Sequence, residues 1–212
     1  MTPTKPALRG HFHQAMFFVV VGAGVPLIYN SEGLLVRASV SVYVVCALLT
    51  FGVSALYHRI TWSTSARAIW RRLDHAGIYL MIAGTFTPVA MMGLSAASAH
   101  DCLLTIWIVA LAGIVQSVFF VNIPKVFSAA IYLVAGYLIV PYMAELQQTI
   151  GSGNVWLLVA GGVAYTLGAL CYALKRPVLY PSHFGYHEVF HIFVNAGAIL
   201  HFFVINDLVF SG

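Results

Sequence analysis

Seven stretches of this chain run for about twenty residues with scarcely a charge in them: about 13 to 29, 36 to 57, 74 to 94, 102 to 121, 126 to 144, 154 to 174 and 188 to 209. Rising 1.5 Å per residue, each is long enough to cross roughly 30 Å of hydrocarbon as a helix. The runs FFVVVGAGVPLI and LLTIWIVALAGIV show no period of two, which argues against the alternating strands of a transmembrane barrel. Composition agrees. With 61% of 212 residues hydrophobic and 8% charged, there is too little polar surface to cover a soluble globule. The expected fold is an all-α membrane protein, a seven-transmembrane helix bundle forming one domain over residues 1–212, with a short tail of about 1–12.

Basic residues near helix ends resist translocation, so their distribution orients the chain. Lys5 and Arg9 lie in the tail, and Arg59, Arg67, Arg71 and Arg72 in the second connection. Lys125 lies in the fourth connection, Lys175 and Arg176 in the sixth. These nine share one side, leaving only Arg37, of the ten in the sequence, on the other. The N-terminus is therefore expected in the cytoplasm and the C-terminus outside, in a bacterial plasma membrane. No small-x-small cleavage site follows the first span, which reads as a retained helix rather than a signal peptide. The +4 charge is a topology signal and implies no nucleic acid, since no aromatic platform is interleaved with the arginines. Trp62 and Trp70 among them suggest a segment lying along the headgroups. Cys46, Cys102 and Cys171 fall singly in three spans and read as small apolar packing.

Ionisable groups inside a membrane helix are costly and mark functional sites by default. His58 ends the second span, Asp74 begins the third, and His187 and His191 begin the seventh, all on the inner face. His187 and His191 stand at i and i+4 on one helix face, so both imidazoles can reach one tetrahedral ion. Ser54, one turn before His58, shares its face, where a hydroxyl could hold water or orient a carbonyl. The stretch HEVFH also matches H-E-x-x-H, in which Glu188 would be the base of a metalloprotease. That reading needs a third ligand downstream, whereas His58 and Asp74 complete a site without one. Glu188 then becomes an interfacial or outer-sphere residue, like His75, which points about 100° away from Asp74 on the helix. His201 is some 15 Å further along its helix than His191 and is expected to make an interhelical hydrogen bond. His11, His13, His100 and His183 read as loop or interface residues, and Asp101, Glu145 and Asp207 as outer-face polar groups.

Three blocks, SALYHR (54–59), RRLDHAGIYLMIAGTFTP (71–88) and HFGYHEVFHIFVNAGAILHFF (183–203), resemble the hemolysin III proteins, the bacterial branch of the progestin and adipoQ receptor (PAQR) family. The resemblance implies seven helices and a zinc ion near the inner leaflet. It implies His58, His187 and His191 as zinc ligands, with Asp74 holding the metal's water and Ser54 beside it. The wider superfamily includes alkaline ceramidases, so hydrolysis of a lipid amide or ester is the chemistry implied.

Four functions compete at this point: a zinc-dependent lipid hydrolase, a receptor-like sensor with structural zinc, a pore-forming haemolysin and an intramembrane metalloprotease. The hydrolase comes first, with membrane lipid as substrate or ligand and membrane lipid homeostasis as its setting. Nothing amphipathic resembles a secreted toxin. Pro88 and Pro141 could kink their helices and open a lateral path. Gly161, Gly162 and Gly168 could line a contact within one chain or, in a homo-oligomer, between two.

Overall fold

In a computed structural model, which describes residues 6–120 and 123–211 without the side chain of Lys125, the chain is a helical bundle. Lys5, counted above in the tail, lies outside the described residues. The helices are α1 (His11–Asn30), α2 (Leu34–Arg59), α3 (Thr64–Gly93), α4 (Ala96–Phe119), α5 (Lys125–Gly136), α6 (Met143–Thr149), α7 (Gly151–Leu174) and α8 (Tyr186–Ser211). Between α5 and α6 runs a 3-10 segment, Tyr137–Tyr142. Among the described residues seven helical stretches are long and apolar enough to cross a membrane, the fifth being Val126–Thr149.

Two elements depart from the sequence reading. The third helix begins at Thr64, where the Ser63 hydroxyl accepts from the Ala66 amide at 3.4 Å, not at residue 74. Asp74 therefore stands ten residues inside α3 rather than at its start. The overhang is helical because Ser63 supplies an N-cap and no Gly or Pro interrupts residues 64–73. Its register stacks Trp62 on Trp70, with centroids 4.9 Å apart, and places Arg67 over the Tyr57 ring at 5.2 Å.

The fifth span is broken. Pro141 has no N–H to give to an α-helical ladder, and around it the chain tightens to 3-10 geometry before α6 resumes. Glu145 on α6 then accepts from the Ser95 amide and the Ser98 hydroxyl, both at 2.6 Å, tying this span to the start of α4. Pro88 leaves α3 continuous.

Helices in a lipid-filling sequence approach one another where side chains are small. Gly113 faces the Tyr79 ring, Gly84 faces Cys46, and Gly161 faces His201, each so closely that a Cβ would lie 2.3 to 2.5 Å from the neighbour. Gly168 packs on Phe193 and Phe190. Gly161 and Gly168 thus serve α7–α8 packing within the chain, whereas Gly162 has nothing within 4 Å. Among the described residues two apolar cores result, one around Tyr43, Phe51, Ala198 and Val204, the other around Tyr79, Ala83 and Ile106 between α3 and α4. The three cysteines are free, with Cys46 and Cys102 buried in this packing.

The exception in the charge count has a local cause. Arg37 at the start of α2 donates from Nε and Nη2 to the Ser31 carbonyl at 3.1 and 2.9 Å, closing the turn after α1.

Candidate metal centre

The ends of α1, α2 and α8 and the first third of α3 meet at the end of the bundle that carries most of the arginines. α2 brings Ser54 and His58 on one face, one turn apart; both are buried. α8 brings His187 and His191 one turn apart, the first half-buried and the second wholly buried. Candidate ligand atoms of His58, His187 and His191 all lie within 4.8 Å of one another. The Nε2 atoms of His58 and His187 are 3.1 Å apart. Two nitrogens bound to one ion at tetrahedral angles stand roughly 3.3 Å apart, so this spacing suits a shared cation. Three imidazoles favour zinc or another transition ion over magnesium or calcium, which prefer oxygen.

Asp74 stands just outside this triangle, its Oδ2 3.6 Å from His58 Nε2. The same nitrogen thus faces both His187 and the carboxylate. The buried Ser54 side chain adjoins Asp74. His75 Nδ1–H donates to the Arg71 carbonyl at 2.8 Å, and the same nitrogen lies 4.0 Å from Asp74 Oδ2.

Two residues lie away from the interface. Of the interfacial and outer-sphere places expected for Glu188, burial removes the first: it is fully buried, with one oxygen paired to Arg9 and the other accepting the Gly185 amide at 2.8 Å. Both carboxylate oxygens are occupied in a clasp between the tail and the turn before α8, which removes the general base that the metalloprotease reading of HEVFH requires. Beside it, the Ala7 and Leu8 amides donate to the carbonyls of Ser182 and His183 at 3.0 and 3.2 Å.

His13 is not an interface residue either. It is buried, its Nδ1 lies 2.8 Å from Ser54 Oγ, and its ring stacks on His191 with centroids 3.7 Å apart and planes 13° apart. The signal was in the sequence: His13 opens the first span at the arginine-rich end, the same criterion of depth that selects His58, Asp74, His187 and His191. His201 behaves as expected, donating from Nε2 to the Leu158 carbonyl at 3.1 Å. Asp207, at the far end of α8, accepts from Asn154 at 2.7 Å.

A cavity of about 1120 Å³ opens from this cluster into the bundle between α3, the broken fifth span, α7 and α8. Asp74, His187 and His191 line its head, and Val89, Leu158 and His201 its far end. From His191 to His201 is ten residues of helix, or roughly 15 Å.

The fold and the cluster define a class: a seven-span membrane protein with a three-histidine centre at one end of the bundle and an apolar cavity beneath it. The particular family follows from comparison. The family described as Haemolysin-III related matches residues 1–202, and the chain belongs to it. It is 33% identical over 167 residues to the hemolysin-3 homolog of Bacillus subtilis, covering 79% of this chain and 75% of that one. Hemolysin-3 of Bacillus cereus is 32% identical, covering 78% of this chain and 72% of that protein. More distantly, the adiponectin receptor protein of Drosophila melanogaster is 26% identical, covering 76% of this chain and 40% of the receptor. The seven apolar helices and the Bacillus relatives make this an integral protein of a bacterial plasma membrane.

Proposed function

We propose that the chain is a zinc-dependent hydrolase of a lipid amide or ester, working at the inner leaflet with its N-terminus in the cytoplasm. One observation carries the reading: three imidazoles and a carboxylate converge at the head of an apolar cavity that continues about 15 Å into the bundle. His58, His187 and His191 would hold the metal. When bound, zinc supplies a Lewis acid that polarises a carbonyl and makes water acidic enough to lose a proton near neutral pH.

The chain's own groups do the rest. Asp74 is placed to take the proton of the attacking water, because its Oδ2 faces the three-histidine cluster. Ser54 adjoins the same carboxylate, where its hydroxyl would donate to one oxygen and leave the other to the water. The cavity walls, including Ile78, Met81, Phe86 and Leu133, receive an acyl chain and exclude water from the carbonyl. The broken fifth span supplies one of those walls, and a lipid reaches it sideways from the bilayer.

The test is metal analysis of the purified protein together with a panel of lipid amides and esters. Asp74→Asn should retain the metal and lose turnover by about 10²- to 10⁴-fold, the usual worth of a general base. Full activity in that variant would sink the assignment of Asp74. Stoichiometric metal with no product from any lipid of the panel would replace the hydrolase with a receptor-like protein in which the metal is structural.

A further inference from the structure

Burying a histidine among helices is expensive unless its nitrogens have partners, and an orphaned buried nitrogen calls for an explanation. Two occur side by side here. His13 Nε2 and His191 Nδ1 are buried with no hydrogen-bond partner among the described residues, on rings stacked at 3.7 Å. Leucine or phenylalanine would fill the same space at the foot of α1 without that cost, so the imidazole at position 13 is there for what it does.

We propose that His13 is a positioning residue of the metal centre, acting through Ser54 and His191. The proposal rests on the metal-binding reading of His58, His187 and His191. Three features hold His13 in place. Arg9 is paired with Glu188, Asn195 Nδ2 donates to the Phe12 carbonyl at 2.9 Å, and Gly10, at φ 84°, lets the α1 backbone lie against His58. A Cβ on Gly10 would fall 2.6 Å from His58 Cβ. The edge of Phe51 meets the His13 ring, with centroids 5.2 Å apart.

From that fixed ring two effects follow. Ser54 has one proton, and its other neighbour, the Asp74 carboxylate, can only accept. A hydroxyl turned towards Asp74 would accept from His13 Nδ1–H, since that nitrogen lies 2.8 Å from Oγ. His13 therefore aims the hydroxyl that aims the carboxylate. Through its face, His13 also restrains the second ring torsion of His191, which is otherwise broad and which sets where the metal-facing nitrogen points.

The experiment uses the full chain in detergent, with Co²⁺ as a spectroscopic probe and Zn²⁺ affinity measured by chelator competition. His13→Phe keeps a stacking ring and removes Nδ1. His13→Asn places an amide N–H near the Nδ1 position and removes the rest of the ring. The wild type should bind one Co²⁺ with a tetrahedral absorption band. His13→Phe should shift that band and lose about 10-fold in Zn²⁺ affinity, the lower range for an outer-sphere partner. His13→Asn should restore the band more fully than phenylalanine does. Wild-type spectra and affinity in both variants, or equal losses in both, overturn the role of His13. A wild type that takes up no Co²⁺, like His187→Ala, instead overturns the metal reading and the proposal with it. Thermal unfolding of each variant separates loss of metal geometry from loss of fold.

Discussion

Glu188 shows how a motif misleads at the scale of single residues. In HEVFH it occupies the position of a protease base, yet its two oxygens are spent on Arg9 and the Gly185 amide. We expect Glu188→Gln to leave metal uptake intact and to loosen the tail, destabilising the protein by up to about 3 kcal/mol, the low end for breaking a buried ion pair, because Arg9 is 20% exposed. Thermal unfolding and proteolysis of the N-terminal segment would measure it. Loss of metal with unchanged stability would return Glu188 to the site. The four ligand-type residues His58, Asp74, His187 and His191 were legible because ionisable groups are scarce in apolar spans and each stands out. His13 satisfied the same criterion. It escaped because a histidine beside a polar tail resembles part of the tail, and only packing of α1 against Ser54 and His191 makes it part of the cluster.

Among the elements, helix existence was plain in the hydropathy, and of the two kinks that proline suggested only the one at Pro141 interrupts its helix. The boundary of α3 moved by ten residues because a cap and a pair of stacked tryptophans extend it past its apolar part. The break in the fifth span arises at Pro141, where proline is tolerated because the neighbouring 3-10 turns resatisfy the backbone. Neighbouring glycines on α7 give a sharp contrast. Gly161→Ala would place a methyl 2.3 Å from His201 Nε2 and should cost about 1–3 kcal/mol through overpacking. Gly162→Ala meets nothing within 4 Å and should be neutral or slightly stabilising, since alanine is the better helix former. Unfolding temperatures of the two variants in one detergent check this; equal effects would mean that α7 is rotated from the position described.

At the scale of the whole molecule, the polar cluster and the cavity are one feature seen from two ends. Gly162 lies on the cavity wall with open space before it. On the hydrolase reading, Gly162→Leu should therefore shorten the longest acyl chain accepted while leaving metal binding unchanged, measured by turnover across a chain-length series. Orientation belongs to this scale too. A tag on the N-terminus should be protected in intact cells and one on the C-terminus accessible from outside. The reverse result would move the proposed chemistry to the outer leaflet.

By itself the sequence determined the seven spans, the end of the bundle where the ionisable residues gather and the histidines that could share an ion, since each follows from a rule local along the chain: hydrophobic length, charge at helix ends and i, i+4 spacing. Tertiary structure decided which neighbours those residues meet. Whether Glu188 faces an ion or an arginine, whether His13 is tail or site, and whether Gly162 packs or lines a cavity depend on the rotation and approach of helices far apart in sequence. Those are set by side-chain volumes on several elements at once, which no local pattern along the chain records.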